Sequence, residues 1–471
     1  MSPIKAPKKF DHEADVVVVG GGAAGLPAAI VVAEQELKVM VLESRPKCSG
    51  SLAIGAGDFA VAGSDEQKEQ GIEDSPDIFY KDMVDVCGAD PELARAYVDN
   101  QIHAYRMLKQ GGIEFPKIIP FSGHSRDRCL GWLFGKGPVI IKILKDRAEN
   151  KGAEILLSHR ATRLVIDSET GRVIGLMAEV KGETKSFKAK KAVILASGGF
   201  GRNKEMIAEY APDMVEALPI MALGHQGDGL RMGLDVRAAT KDIGVAVGPS
   251  FPVCNETHSN ALMAPWYGGV MVNVNGNRFY DESCSEGYFG ALTGAGMKQP
   301  GGVYWAVYDN NVLENIKGNA EKAQVKDTEG CRQYKAETIE TLAESTGIDA
   351  KGLKGTIDRY NRDVEDVGHD TVFNRKFQAG RERPLIKIDT PPFYAVKCVT
   401  STTSLRGGLR INSRSQVLNQ FNEVIPGLYA AGEVTGGLFS KKYVSRIMSS
   451  QSMTFGIIAG RNAIKETPDN N

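Results

Sequence analysis

Runs of branched apolar residues alternate along this chain with stretches in which apolar positions recur every three or four residues. The segment Asp15 to Val19 is almost entirely valine, which is typical of a strand buried on both faces of a parallel sheet. Gly25 to Gln35 carries small and apolar residues at helical spacing, and a second buried run ends at Glu43. A strand, a helix and a strand within about 30 residues predict one βαβ unit.

The remaining pattern predicts an α/β domain that is built from both ends of the chain. Helical spacing covers 76–109 and 140–151, and strand patterns cover 153–167, 173–180 and 191–199. From 202 to 390 the chain is richer in glycine, aromatic and irregular segments, and the α/β pattern resumes in 427–434 and in a final helix over 453–466. We therefore predict one discontinuous α/β domain, 1–201 and 391–471, and an inserted α+β domain, 202–390.

Composition and charge exclude several classes of function. The 471 residues include 57 basic and 58 acidic side chains, a formal net charge of -1, so a nucleic-acid partner is not expected. No stretch of about 18 apolar residues predicts a membrane span, and the first residues lack the apolar segment of a signal peptide. We expect a cytoplasmic protein with a small-molecule ligand.

The cysteines argue against a metal or redox centre. There are seven, an odd number, and none are spaced as C-x-x-C. This predicts reduced thiols without a disulfide framework, and it predicts neither a zinc site, an iron–sulfur cluster nor any other metal site.

A glycine motif follows the first predicted strand. Gly20, Gly22 and Gly25 form G-x-G-x-x-G between strand and helix, and Glu43 ends the next strand. Gly20 suits a tight turn, Gly22 lets backbone approach a pyrophosphate, and Gly25 permits close helix packing. The helix N-terminus stabilises the anion, and Glu43 is placed to accept from a ribose hydroxyl. The motif in this context predicts dinucleotide binding, with NAD and FAD both open.

Further segments resemble one flavoprotein family. SGSLAIGAGDF, HQGDGLRMG, KAVILASGGFGRN, GGVMVNVNGNRFYDE, PGLYAAGEVTGG and MTFGIIAGRNA look like motifs of the fumarate reductase, succinate dehydrogenase and 3-ketosteroid dehydrogenase flavoproteins, from about Asp15 to Ala463. The resemblance implies FAD, held by a two-dinucleotide-binding (Rossmann-like) domain, with the inserted domain capping the substrate.

The same resemblance implies which residues contact the cofactor. Simple N-capping is an equally good interpretation of Ser449 and Ser450. The implied FAD-binding residues are Gly20, Gly22, Ala24, Gly25, Glu43, Ser44, Ser49, Gly50, Ser51, Ala161, Ser197, Gly198, Asp228, Gly407, Gly408, Glu433, Ser449 and Ser450.

The family's dicarboxylate-binding residues are changed in this chain. In the fumarate reductases these positions are a histidine and two arginines, and here they are Ser404, Glu286 and Tyr443. Losing two guanidinium groups removes the bidentate carboxylate clamps. Fumarate or succinate chemistry is therefore not expected from these positions.

The replacements resemble the active site of the 3-ketosteroid dehydrogenases, most closely those that form the 4-ene. Tyr443 and Ser445 lie in the last loop, and Tyr288 follows the VNGNRFYDE segment. We assign carbonyl polarisation to Tyr443, helped by Ser445, and α-proton abstraction to Tyr288, although the two tyrosines could exchange roles. A packing role is the alternative for each tyrosine.

Four residues are candidates for substrate binding. Arg406 precedes Gly407, where the family usually has a small or apolar residue, and with Arg446 it could hold a substrate carboxylate. Balancing the flavin phosphates or local acids is the other interpretation of Arg406. Trp266 and Tyr267 form either an aromatic wall for an alicyclic ring or part of the core. His124, Arg126 and Arg128 in GHSRDRCLGW either line the substrate entrance or belong to a solvated loop, and the solvated loop is the preferred interpretation.

The leading interpretation is an FAD-dependent dehydrogenase that forms an α,β-enone from a saturated cyclic ketone, a 3-ketosteroid or a smaller alicyclic ketone. Electrons would pass to or from an external partner, because only one dinucleotide signature is present. The alternatives are an ene-reductase running in reverse, a carboxylate dehydrogenase or reductase of the fumarate reductase type, and a non-catalytic FAD subunit that docks to an electron-transfer partner.

Overall fold

The computed structural model describes residues 4–55, 57–119, 123–131, 136–248, 253–254, 264–283, 291–319, 331–378, 383–440, 443–444 and 446–467. The helices of the described chain are α1 (Gly25–Ala33), α2 (Ser51–Ile54), α3 (Asp65–Glu69), α4 (Pro76–Asp85), α5 (Pro91–Gln110), α6 (Gly137–Asn150), α7 (Lys204–Tyr210), α8 (Asp228–Asp235), α9 (Ala291–Met297), α10 (Asn310–Asn319), α11 (Ile339–Thr346), α12 (Ala350–Val367) and α13 (Ile447–Ala463).

The strands in the described ranges are β1 (Ile4–Lys5), β2 (His12–Val19), β3 (Val39–Glu43), β4 (Phe59–Ala60), β5 (Lys117–Ile119), β6 (Cys129–Gly131), β7 (Glu154–Leu157), β8 (His159–Ile166), β9 (Val173–Val180), β10 (Glu183–Leu195), β11 (Leu218–Pro219), β12 (Thr240–Val247), β13 (Val270–Val272), β14 (Val303–Asp309), β15 (Gln333–Ala336), β16 (Phe393–Val399), β17 (Ser401–Thr402), β18 (Ser404–Leu409), β19 (Gln416–Leu418) and β20 (Val424–Ala430).

The chain divides into two compact units. The first contains Met1–Ala211, Met221–Val245 and Leu405–Asn471. Its main sheet has the order β1-β8-β9-β10-β2-β3-β7, with β20 added beside β10 and β19 beside β20. β2, β3 and β7 run parallel to one another, and the second half of β10 runs parallel to both β2 and β20. The predicted βαβ unit and the α/β class are confirmed.

The last helix packs directly against the first. A Cβ at Gly456 would lie 2.1 Å from the carbonyl oxygen of Ala24, and one at Gly460 would lie 2.8 Å from that of Ala28. Only glycine permits these two backbones to approach so closely. α13 therefore supports the N-terminal half of α1 from the other end of the sequence.

Two predicted elements are divided in the structure. The helical pattern 76–109 forms α4 and α5, because Pro91 starts a new helix behind the Asp90 N-cap, whose carboxylate accepts from the Glu92 amide at 3.0 Å. The predicted strand 153–167 breaks at Ser158, which has a φ of 57°. β7 before this residue pairs with β3, whereas β8 after it pairs with β9.

The second unit contains Pro212–Ile220 and Ala246–Ser404. Its four-stranded antiparallel sheet has the order β13-β14-β16-β15, and one core cluster packs β14 and β16 against α11 and α12. Whether an inserted domain over 202–390 caps the substrate stays a prediction.

The expectation that all cysteines are reduced is wrong for one pair. Cys254 and Cys331 form a disulfide with their Cα atoms 5.2 Å apart. They are separated by 77 residues, and both lie in a buried cluster of the second unit, so their spacing in the sequence did not reveal the pairing. Within the described ranges, no helix is both long and apolar enough to cross a membrane.

Candidate functional site

The glycine turn between β2 and α1 leaves space over one glycine only. Gly20 has a φ of 108°, and a Cβ there would lie 2.4 Å from the Ala196 carbonyl oxygen. A Cβ at Gly25 would lie 1.9 Å from the Gly20 carbonyl oxygen, so this contact fixes the turn. A Cβ at Gly22 would meet its nearest atom, the Gly50 Cα, only at 4.0 Å. Ala24 caps α1 without a side-chain hydrogen bond, which leaves the helix N-terminus open for an anion.

Glu43 is locked in place at the end of β3. Its Oε2 accepts from the Gly21 amide at 2.9 Å, and its Oε1 accepts from the Arg45 amide at 2.8 Å and the Ser44 hydroxyl at 3.3 Å. The side chain is buried beside the glycine turn. This places an acidic acceptor where the motif requires one for a ribose hydroxyl.

His225 joins several predicted cofactor residues, and sequence reasoning missed it. Its Nε2 lies 3.2 Å from the Ser51 hydroxyl, and its Nδ1 lies 3.6 Å from Oε2 of Glu433. A Cβ at Gly198 would lie 2.6 Å from the same ring, and Gly50, which precedes Ser51, has a φ of 77°. The only local signal was the HQGDG segment that contains it. Ser49 adjoins this cluster along the chain.

Three other predicted cofactor residues differ in how the rest of the chain contacts them. The Asp228 carboxylate accepts two hydrogen bonds from Arg160, at 2.9 and 2.8 Å. Ala161 is buried in β8. The hydroxyl of Ser197 is buried and has no hydrogen-bond partner within the described ranges, so it is available to a ligand.

A second cluster surrounds β18 and the segment after β20. A Cβ at Gly407 would lie 2.0 Å from the Asp242 carbonyl oxygen, and one at Gly408 would lie 2.1 Å from that of Val434. These contacts hold β18 tightly against its neighbours. A small pocket lies here, lined by residues that include Arg406, Gly407, Glu433, Phe439 and Gln451.

Arg406 is a buried cation in this pocket. Its guanidinium carbon lies 3.9 Å from the ring centre of Phe439 and 4.0 Å from that of Tyr443. Burial lowers the pKa of Arg406 to about 10. Its Nε and Nη2 have no hydrogen-bond partner in the described part of the chain. The Gln451 side-chain oxygen, in the same pocket, also has none among these residues.

Tyr443 is buried beside Arg406. Burial raises the pKa of Tyr443, and the nearby Arg406 and Arg446 act in the opposite direction. Its ring packs edge-on against Phe439, with the centroids 5.6 Å apart. The other two residues assigned to catalysis, Tyr288 and Ser445, lie outside the described residues, as does Glu286.

The start of α13 carries three predicted residues with different surroundings. Arg446 has a φ of 65° and pairs with Asp58, its Nη1 lying 3.0 Å from Oδ2 of the carboxylate. Ser450 is buried, its hydroxyl 2.6 Å from that of Tyr97, and it donates to the Ile447 carbonyl at 3.1 Å. Ser449 is half-buried on the first turn. The charge of Arg446 is therefore balanced by the Asp58 carboxylate.

Two further expectations concern residues away from these clusters. Trp266 and Tyr267 belong to the second unit, where both are half-buried. The backbone carbonyl of Tyr267 accepts a hydrogen bond from the Asn315 side-chain amide at 2.8 Å. The loop interpreted as solvated contains a fully buried residue, Arg128, so that interpretation is wrong there. The Arg128 guanidinium donates twice to the Asp74 carboxylate, at 2.8 and 3.0 Å, and these bonds compensate the loss of water on burial.

These features fit FAD. Gly22 leaves space for a pyrophosphate at an uncapped helix N-terminus, Glu43 is fixed as a ribose acceptor, and buried polar atoms of Ser197 and Gln451 have no partner within the described ranges. Among the described residues, no group of three or more His, Cys, Asp and Glu side chains is arranged for a metal ion.

Comparisons with known proteins identify the family. A model of the FAD binding domain matches residues 15–443. The chain is 31% identical to a probable fumarate reductase, Ifc3, of Shewanella frigidimarina over 96% of this chain and 75% of that protein. It is 33% identical to a urocanate reductase of Eggerthella lenta over 98% and 76%.

A solved structure shows the same fold. The 3-ketosteroid-Δ4-(5α)-dehydrogenase of Rhodococcus jostii RHA1 superposes with a TM-score of 0.80 and 26% identity, covering 99% of this chain and 100% of that one. The family resemblance, the fold and the FAD cofactor predicted from sequence are confirmed. The chain belongs to the FAD-binding family and is an FAD-dependent oxidoreductase of the fumarate reductase and ketosteroid dehydrogenase group.

Proposed function

We propose that this enzyme interconverts a saturated carbonyl compound and its α,β-unsaturated counterpart, and that Tyr443 polarises the carbonyl group. The observation that carries this proposal is the buried Tyr443 phenol beside the Arg406 guanidinium, in the unit that holds the glycine turn. A phenol and a cation together suit an oxygen that becomes negative during the reaction.

Tyr443 acts as a donor in this proposal and not as the base. Burial raises its pKa above the ordinary value, so the hydroxyl stays protonated at neutral pH. A protonated phenol donates a hydrogen bond to a carbonyl oxygen, and that bond strengthens as the oxygen gains charge. The role of base remains assigned to Tyr288, with Ser445 assisting Tyr443.

The relatives support a carbonyl-conjugated substrate. Two are named reductases of fumarate and urocanate, both unsaturated carboxylates, and a structural neighbour is named a ketosteroid dehydrogenase. When bound, FAD supplies the hydride acceptor or donor for such chemistry. The chain's own residues would bind the substrate, polarise its carbonyl and move the α proton, while an external partner carries electrons. A saturated cyclic ketone as the natural substrate is still our prediction.

The test is Tyr443→Phe in the FAD-loaded enzyme. Flavin reduction by saturated ketones and reoxidation of reduced flavin by enones or enoates are followed anaerobically by absorbance. Removing one oxyanion donor typically slows the step by about 100-fold, and we expect that loss with an unchanged flavin spectrum. Tyr80→Phe, on α4 and packed beside Arg95, is the matched control.

Two outcomes bear directly on the assignment. Because the pKa of Tyr443 is raised, ionisation of this residue should not reduce the wild-type rate between pH 7 and about 9. If Tyr443→Phe reacts as fast as the wild type with every substrate that reacts at all, Tyr443 is not the carbonyl donor.

A further inference from the structure

His225 is a buried histidine with one ring nitrogen that lacks a hydrogen-bond partner. The residue is 4% exposed. Its Nε2 lies 3.2 Å from the Ser51 hydroxyl oxygen, within hydrogen-bonding distance. Its Nδ1 is also buried and has no hydrogen-bond partner in the described part of the chain, since Oε2 of Glu433, at 3.6 Å, is too far for one. A buried polar atom is costly to leave without a partner, so Nδ1 indicates a ligand that can bond it.

The imidazole is held in one place by the backbone around it. The His225 amide donates to the Ala222 carbonyl at 3.1 Å, and the His225 carbonyl accepts from the Arg202 amide at 2.9 Å. A Cβ at Gly198, where φ is 76°, would lie 2.6 Å from Nε2, so glycine at this position leaves the room that the ring needs. The ring is therefore positioned before any ligand arrives.

The polar groups around Nδ1 combine a donor with acceptors. A neutral imidazole carries one N–H, and the Glu433 carboxylate facing Nδ1 favours the proton on that nitrogen. Nε2 then accepts from the Ser51 hydroxyl. The hydroxyl of Ser197, the residue before Gly198, is buried without a partner among the described residues, and it can both donate and accept.

This combination suits hydroxyl groups of a ligand better than phosphate. A hydroxyl both donates and accepts, so neighbouring hydroxyls can satisfy an imidazole N–H and a carboxylate together. A phosphate only accepts, and beside Glu433 it would meet a like charge. FAD contains a chain of hydroxyls, the ribityl group, between its flavin ring and its pyrophosphate.

We propose that His225 is a cofactor-binding residue whose Nδ1–H donates a hydrogen bond to a ribityl hydroxyl of FAD. The inference goes beyond the proposed function, because it concerns the cofactor and holds for any substrate. It gives the buried nitrogen its partner, and it adds a donor beside Glu433, which the family resemblance assigns to the same ribityl chain.

The experiment combines His225 variants with cofactors that differ only in the ribityl chain. The apoprotein is titrated with FAD and with three FAD analogues, each lacking one of the three ribityl hydroxyls. Flavin fluorescence and calorimetry give each Kd, so no turnover is required. His225→Ala and His225→Gln remove the donor at Nδ1, whereas His225→Asn places an amide N–H near that position. His103→Gln, at a half-buried histidine of α5, is the control.

We expect His225→Ala and His225→Gln to raise the Kd of FAD about 10- to 100-fold, as for a buried ligand hydroxyl that loses its donor. For the analogue that lacks the partner hydroxyl, the same substitutions should change the Kd less than about threefold. His225→Asn should recover part of the affinity for FAD. His103→Gln should leave every Kd within about twofold of the wild type.

Three results would overturn the inference. One is an unchanged Kd of FAD in both His225→Ala and His225→Gln. Another is an equal weakening of FAD and all three analogues, which would show a purely structural effect of His225. The third is an equal weakening of ADP, which has no ribityl chain, because that would place the histidine at the adenine nucleotide half of the cofactor.

Discussion

Replacing Arg406 by methionine should stabilise the ligand-free protein. Burial lowers the pKa of this arginine to about 10. Each pKa unit corresponds to about 1.4 kcal/mol, so the buried charge costs up to about 3 kcal/mol. Methionine keeps much of the apolar stem but loses the cation–π contacts with Phe439 and Tyr443, which are worth about 1 to 2 kcal/mol. A net gain of about 1 to 2 kcal/mol remains.

The sign of the pH dependence follows from the lowered pKa. Because the folded-state pKa of Arg406 lies below its unfolded value, the cation destabilises the fold fully below about pH 10. That penalty fades as the pH rises above 10. The stability advantage of Arg406→Met should therefore be largest at pH 7.5 and smaller at pH 10.5.

The assay is urea denaturation of both proteins, followed by circular dichroism at the two pH values, without substrate and with and without saturating FAD. Comparing the variant with the wild type at each pH cancels the titration of other groups. A variant less stable than the wild type at pH 7.5, or an advantage that does not change with pH, would refute the claim that burial of this cation destabilises the fold.

Two further perturbations have contrasting controls. Gly25→Ala should destabilise the apoprotein by about 1 to 3 kcal/mol or more, because its Cβ would lie 1.9 Å from the Gly20 carbonyl oxygen. Gly22→Ala should keep the melting temperature of the apoprotein, because its Cβ has space, and should weaken FAD binding about 10- to 150-fold. Normal FAD titration of Gly22→Ala would contradict this. In the second unit, Glu282→Gln should lower the free energy of unfolding by about 3 to 5 kcal/mol, because it removes the charge that pairs with two buried arginines. Glu365→Gln, which removes an exposed ion pair with Lys387, should lower it by less than about 1 kcal/mol. Both values are measured by chemical denaturation. Equal effects of the two glutamine substitutions would contradict that reasoning.

Local motifs in the sequence were sufficient to predict the glycine turn. The spacing of Gly20, Gly22 and Gly25 and the position of Glu43 follow from one βαβ unit, so the fold around them was predictable. The unpartnered donors of Arg406 were not, because they depend on which distant groups fail to reach the guanidinium.

Contacts between distant segments account for what the sequence did not reveal. His225 meets Ser51 across 174 positions, and no spacing rule connects them. Arg128 looked like a loop residue among polar neighbours, yet it is buried by Asp74, 54 positions away. Sequence reasoning treats such a polar residue as exposed, because its partners are identified only by the fold.

The packing of α13 on α1 has a consequence for biosynthesis. Gly456 presses on the backbone of Ala24, at the turn proposed to bind the FAD pyrophosphate, from near the opposite end of the sequence. A nascent chain that has emerged only as far as the second unit still lacks this support, together with the proposed cofactor residues of β18 and the segment after β20. We therefore expect stable capture of the cofactor to follow synthesis of α13, because until then the face of α1 that packs against α13 is uncovered.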